Sequence, residues 1–369
     1  MRFHDAAIAA TLGLSSSVAF AATPSNAELY EIIQAQQAQL EELNTSKSGF
    51  ADKLYVGGYG ELHYNNIKDD DDKVDFHRFV LFFGYDFSDG IRFRSEFELE
   101  HALAGEGKPG EVELEQAYVE FNTGDSAVTK AGVFLVPVGI LNETHEPPTF
   151  YGVERNGVEK NIIPSTWWEA GAMYSARASE SVSYDIAVHS GLQLGTDYKI
   201  RGGRQKVAKA TANDLAATAR IKYTGIQGVE LAATLQHQAD ARQGLDDSDS
   251  ADATLIETHA AINKGAFGAR VLYATWDVGG AGAKAAGRDE QTGYYLEGSY
   301  KASETTGFFT RYSAWDNNAG NSADTETTQV DLGVNYWPHA NVVVKADLFK
   351  ADTAGAETEG FNLGVGYQF

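Results

Sequence analysis

From Leu54 to Phe369 the chain alternates apolar and polar residues with a period of two, and no apolar helix is at hand to cover the apolar side. Phe79, Leu81, Phe83 and Tyr85 share one face of a segment. After the tight connection Asp86–Gly90, Ile91, Phe93, Phe97 and Leu99 take the same face, opposite Arg92, Arg94, Glu96, Glu98 and Glu100. A side-chain period of two is the signature of a strand. Strands apolar on one side and charged on the other, with no covering layer, suit a wall between lipid and water. The pattern returns at Leu215–Tyr223, Leu231–Leu235, Val330–Tyr336 and Val342–Leu348, and ends with Phe361, Leu363, Val365, Tyr367 and Phe369 on the apolar face.

Connections alternate in length. Short ones include Asp86–Gly90, Ala178–Glu180, Thr224–Gly228, Ser303–Thr306 and Pro338–Asn341. Long polar ones include Asn65–Lys73, Ala102–Gly110, Gln193–Asn213, Ala239–Asp252 and Asn317–Thr325. This asymmetry predicts an all-β fold, a transmembrane antiparallel β-barrel of about 16 strands over 50–369. The competing architecture is a soluble β-sandwich, whose strands would bury the apolar face against a second sheet. The 11% aromatic content favours the barrel.

The N-terminus reads differently. Met1–Asp5 is a short charged start, Ala6–Phe20 is small and apolar, and Ala19 and Ala21 stand where a signal peptidase reads. Residues 1–21 are therefore expected to be a cleaved signal peptide, with export to the cell outer membrane. Ser25 and Glu28 form a capping-box pattern, and Leu29, Ile33, Gln36, Leu40 and Leu43 recur at coiled-coil spacing. Residues 22–49 are thus expected to form a periplasmic coiled-coil helix and linker, too short to hold an oligomer together unaided. A helix lying against its own domain is the alternative.

Composition removes other classes. No later stretch reaches the roughly 18 apolar residues of a membrane helix. The absence of Cys excludes disulfide scaffolds and Cys-ligated metals. A net charge of -23 argues against nucleic acid, which needs a basic surface. The acidic runs Asp69–Asp72 and Asp246, Asp247, Asp249 and Asp252 read as solvated loops, with divalent-ion bridging to lipopolysaccharide as the sharper alternative. No phosphate-binding loop, nucleophile elbow or zinc-protease motif is present, and the nine His stand singly. No enzyme activity, cofactor or metal is expected.

The opening zipper, the Arg-containing second strand, Gly132-Val133-Phe134 running into Pro137-Val138-Gly139, and Glu154-Arg155-Asn156 resemble the phosphate-selective porin O/P family over roughly 27–369. The resemblance implies a homotrimer of 16-stranded barrels in outer-membrane lipid, each with its third long loop, here 140–165, folded inward as a constriction. The terminal Gly366-Tyr367-Gln368-Phe369 is similar to the signal read by barrel-assembly machinery. Leu141 to Val153 contains no Lys or Arg, so tight phosphate binding is not expected. By strand parity the expected pore-lining residues include Arg78, Arg92, Arg94, Glu96, Glu98, Arg220, Lys222, Arg270, Arg311 and Lys345. The constriction loop offers Glu143, His145, Glu146, Glu154, Arg155, Glu159 and Lys160. Lys199, Arg201, Arg204, Lys206 and Lys209 either form a basic funnel or are merely solvated. The expected function is passive diffusion of small hydrophilic solutes with a weak anion preference. A structural or adhesive barrel with a blocked lumen is the alternative.

Overall fold

A computed structural model describes residues 49–245 and 249–369. The expected signal peptide and coiled-coil helix, and Asp246 and Asp247, lie outside these residues. Phe50–Lys53 form one 3-10 turn, and the barrel unit runs from Leu54 to Phe369.

Sixteen antiparallel strands close the barrel. They are β1 (Leu54–Ile67), β2 (Lys73–Ser88), β3 (Ile91–Glu100), β4 (Val112–Gly124), β5 (Ala127–Leu135), β6 (Trp168–Arg177), β7 (Val182–His189) and β8 (Ala216–Ile226). The second half comprises β9 (Val229–Gln238), β10 (Ala253–Lys264), β11 (Phe267–Val278), β12 (Glu290–Lys301), β13 (Thr306–Asp316), β14 (Thr327–His339), β15 (Val342–Thr353) and β16 (Ala356–Gln368). Each strand pairs with its sequence neighbours, and β1 closes on β16 through Tyr59↔Gln368 to Ile67↔Gly360. Backbone hydrogen bonds of 2.9 and 2.8 Å between Gly58 and Phe369 seal that seam. Closure leaves no unpaired edge, as a bilayer requires.

The apolar parity set faces outward. Leu81, Phe83, Phe97, Leu114, Ile221, Leu235, Leu332, Leu348 and Leu363 are each 39–60% exposed around the wall. So large an apolar belt would drive a soluble protein to aggregate, and it matches the lipid-facing band of a membrane barrel. Phe267, Tyr300, Phe308, Tyr336 and Phe369 add exposed aromatics near the short-turn end.

Among the register shifts of the described wall, two set which side chains reach the interior beside the loop. β2 carries an extra residue opposite Glu61–His63, so His77 and Arg78 both turn inward. β4 carries one at Glu96/Phe97, which lets Glu115 and Gln116 both reach Glu96 or its neighbours. A bulge adds one unpaired residue and shifts every later side chain to the other face.

Inside the barrel lies an apolar core that strand parity does not foretell. Val136, Val138, Val158, Ile162, Ile163 and Trp167 of the 136–167 loop pack on Leu192, Leu194, Tyr198 and Ile200 of the 190–215 loop. Leu255, Leu272, Trp276 and Tyr295 complete the cluster from β10, β11 and β12. A short helix, α1 (Gly157–Asn161), sits in this core, capped by Asn156 Oδ1 accepting from Glu159 N at 2.8 Å. Gly157 lies so close to Trp315 that a Cβ would fall 2.3 Å from its ring. The second short helix is α2 (Ala281–Ala285).

Candidate functional site

The 136–167 loop is tied to strands around the whole wall. Asn142 bridges its two ends, donating to Val136 O and Trp167 O at 2.8 and 2.9 Å and accepting from Trp167 N at 2.7 Å. Buried Glu159 accepts from Ile140 N and Leu141 N at 2.7 and 2.6 Å and from the Tyr295 hydroxyl at 2.9 Å. On β15, Lys345 Nζ donates to Gly152 O at 2.7 Å while Asp347 accepts from Val153 N at 2.6 Å. Asn335 of β14 donates to Phe150 O at 3.0 Å, and Arg311 of β13 donates to Tyr151 O at 3.3 Å. Arg270 of β11 donates to Thr149 O at 2.9 Å. Arg220 of β8 ion-pairs with Glu143, and also with Asp185 at 2.7 Å. On the facing wall Glu154 meets His63 Nδ1 at 3.0 Å.

These contacts sort the sequence-expected cations. Arg220, Arg270, Arg311 and Lys345 do point inward, but they tether the loop instead of facing open water. Arg311 is further paired with Asp331 at 3.1 Å and Glu297 at 3.2 Å. Arg92, Arg94 and Lys222 stand nearer the short turns, beside Glu120 at 2.8 Å, Asp86 at 2.7 Å and Glu230 at 3.5 Å. Glu146 is half-buried, and its carbonyl accepts from Thr149 N at 2.9 Å.

His145 is buried with Nε2 at 3.4 Å from Glu96 and 3.5 Å from Glu115. Its Nδ1 lies 3.1 Å from Asn142 O, and Tyr59 donates to Glu96 at 3.1 Å. Burial alone would lower the imidazole, but the Glu115 and Glu96 carboxylates beside it outweigh burial and push the group up to about 10. His145 is therefore an imidazolium held between two wall carboxylates.

The polar space left beside the apolar core includes a chamber of about 90 Å³, open to solvent. Its cations are Arg78, Arg155, Lys160, Arg201, Arg204 and Lys206; its carboxylates are Glu61, Glu100, Glu113, Glu115 and Glu154. Arg78 lies 2.9 Å from Glu61 and 3.9 Å from Glu98, and Lys206 pairs with Glu111 and Glu113. Arg155, Arg201 and Arg204 have no carboxylate within 4.0 Å among the described residues. Arg201 donates to Lys160 O and Ser165 O at 2.6 and 2.8 Å, Arg155 to Thr166 Oγ1 at 2.9 Å, and Arg204 to Thr166 O. Arg155 Nη2 and Arg204 Nε are buried with no acceptor among the described protein atoms. Burial, then Arg204 and Arg155, pushes Arg201 down to about 9. Burial also lowers Arg155 and Arg204.

Sequence parity missed three parts of this chamber. Glu113 and Glu115 sit at the β4 bulge, and His77 joins Arg78 through the β2 bulge. The 190–215 loop, expected as a funnel or a solvated loop, turns inward because Leu192, Leu194, Tyr198 and Ile200 are buried. That anchors Arg201 and Arg204 against the 136–167 loop, while Lys209 stays exposed. The spacing of those apolar residues in an otherwise polar stretch was the available signal.

The barrel is similar to the anion-selective porin from Comamonas acidovorans, with a TM-score of 0.63 at 12% identity, over 86% of this chain and 99% of that one. It is similar to the outer-membrane channel DcaP of Acinetobacter baumannii, with a TM-score of 0.60 at 13% identity over 86% and 97%. The trimer form of Vibrio cholerae OmpT gives 0.58 at 13% over 86% and 99%. At these identities the likeness establishes the fold. In sequence, an uncharacterised protein of Aquifex aeolicus (strain VF5) is 30% identical over 341 residues, spanning 80% of this chain and 75% of that protein. The description matched by residues 6–356 is that of the Gram-negative porins at large, not the phosphate-selective branch alone. That match, on a closed sixteen-stranded barrel with a loop tied across its interior, means that the chain belongs to the Gram-negative porin family, the channels of the outer membrane.

Proposed function

We propose that this porin passes small hydrophilic solutes through the chamber and weakly prefers anions. The observation that carries the reading is the trio Arg155, Arg201 and Arg204, which share one chamber and lack carboxylate partners. Crowded, partly buried guanidinium groups are relieved by an anion, and each retains a donor fork suited to carboxylate or phosphate oxygens. Five carboxylates line the same chamber against six cations, so the excess is small. In a wet pore such charges are also screened over roughly 8 Å at physiological ionic strength. Weak preference without tight phosphate binding follows. The similarity to an anion-selective porin points the same way.

Replacing Arg201 and Arg204 together by Gln should lower the anion-to-cation permeability ratio by a factor of about two to three, because charges in the narrowest water act most strongly. Reversal potentials in a KCl gradient measure it. An unchanged ratio in the folded double variant would remove these residues from the selectivity mechanism. Micromolar block of chloride current by phosphate would show a stronger site than proposed. A homotrimer, assembled in lipopolysaccharide-containing outer leaflets with Phe369 as the assembly signal, completes the reading; trimeric OmpT is a structural precedent.

A further inference from the structure

Three histidines far apart in sequence, at 63, 77 and 101, are gathered by the strand register, and two of them, His63 and His77, line the chamber. His63 and His77 stack with ring centroids 4.7 Å apart, and His77 meets His101 edge-on at 5.6 Å. Asp75 stands between two of them: its carboxylate lies 3.2 Å from His77 Nδ1 and 2.8 Å from His101 Nδ1. We propose that Asp75, His77 and His101 form a transition-metal site on the inner wall, taking Zn²⁺ or Cu²⁺ through two imidazoles and one carboxylate.

Geometry and chemistry both support it. One ligand atom from each residue lies within 4.8 Å of the other two. Around a tetrahedral ion with bonds of about 2.0–2.1 Å, ligand atoms stand about 3.3 Å apart. The three side chains therefore need only small rotations. They are 26–33% exposed, so an ion reaches them from the lumen and a fourth position stays open to water. The backbone prepares the site: His101 adopts a left-handed φ of 50°, unusual for a non-glycine residue, and its N–H donates to His77 O at 3.1 Å. The β2 bulge beside Asp75–Arg78 keeps His77 and Arg78 on the same side. His63 is no ligand, because its nitrogens are taken by Glu61 at 3.1 Å and Glu154 at 3.0 Å. It packs behind His77 instead.

Two other groups with metal-like spacing fare worse. Glu96, Glu115 and His145 are wholly buried around their own imidazolium, and Glu111 and Glu113 are held by Lys206. Two imidazoles select Zn²⁺ or Cu²⁺ over Ca²⁺ and Mg²⁺, which prefer all-oxygen shells. Because His77 lines the chamber, a bound dication would add positive charge at its edge. That narrows the water path and strengthens anion preference.

The test is titration calorimetry of the detergent-purified porin with ZnCl₂, with CaCl₂ as the comparison. The expected result is saturable binding of one zinc ion per chain, and none for calcium at the same concentrations. His77→Asn with His101→Asn should weaken it by at least about ten-fold, as loss of coordination support does, whereas His339→Asn at the exposed end of β14 should leave it intact. Retention of heat-modifiable mobility checks folding, and His101→Asn alone serves if the double variant fails that check. No saturable zinc binding by the wild type, or equal binding by the folded variants, would overturn the site. Calorimetry reads the ion whatever the channel selects, so failure here and failure of the anion preference are separate results.

Discussion

Arg155, Arg201 and Arg204 share one chamber and, like Lys160 beside them, have no carboxylate within 4.0 Å among the described residues, so under the proposed function they are the charges a passing ion would feel most. Parity located Arg78, Arg220, Arg311 and Lys345 on the inner face, but it could not tell a tether from a free charge. That distinction depends on where loop carbonyls fall, such as Gly152 O against Lys345 and Tyr151 O against Arg311. His145 makes a residue-level prediction. Its ordinary value is 6.5 and its folded value about 10, raised by Glu115 and Glu96. A group raised on folding adds stability that is fully present below about 6.5 and lost as pH rises through about 10. Single-channel conductance should therefore stay level through neutral pH and become larger or noisier above about 10 as the loop loosens. The same change at pH 7 to 8 would show that His145 is not held as described. Asp75, His77 and His101 mark the limit of a sequence reading at this scale, because a single inserted residue in β2 decides which of them face inward.

Among elements, the 136–167 loop owes its position to buried polar anchors more than to its prolines. Glu159→Ala would orphan the amides of Ile140 and Leu141 and the hydroxyl of Tyr295, at about 1–3 kcal/mol for each unsatisfied group. The expected outcome is a barrel that still folds but conducts more per channel and loses its compact gel mobility at lower temperature. Glu159→Gln, which still accepts hydrogen bonds, should fall between. Unchanged conductance in Glu159→Ala would mean that the loop does not set the pore. The strands were legible because their apolar face alternates strictly over most of their length, as in Phe361 to Phe369. The inward turn of the 190–215 loop was not. Its anchors Leu192, Leu194, Tyr198 and Ile200 keep a period of two but form no strand of the wall, and their partners Leu255, Leu272 and Trp276 come from strands far along the chain. The internal apolar core was hidden for the same reason.

At the scale of the whole molecule, strand number and closure were readable, since each long loop and short turn leaves its own composition. Oligomeric state was carried only by resemblance. The porin should run as a trimer when unboiled, and deleting 27–43 should not dissociate it, because two heptads add little to barrel–barrel contacts. Native mass spectrometry from mild detergent showing only single barrels would refute this. The most direct measurement of the central claim is single-channel recording of the purified wild-type protein in a planar bilayer under a KCl gradient. Discrete conductance steps with a reversal potential of anion-preferring sign, and only a small permeability ratio, are the predicted result. A barrel that inserts without conducting, or one that reverses on the cation side, would contradict it.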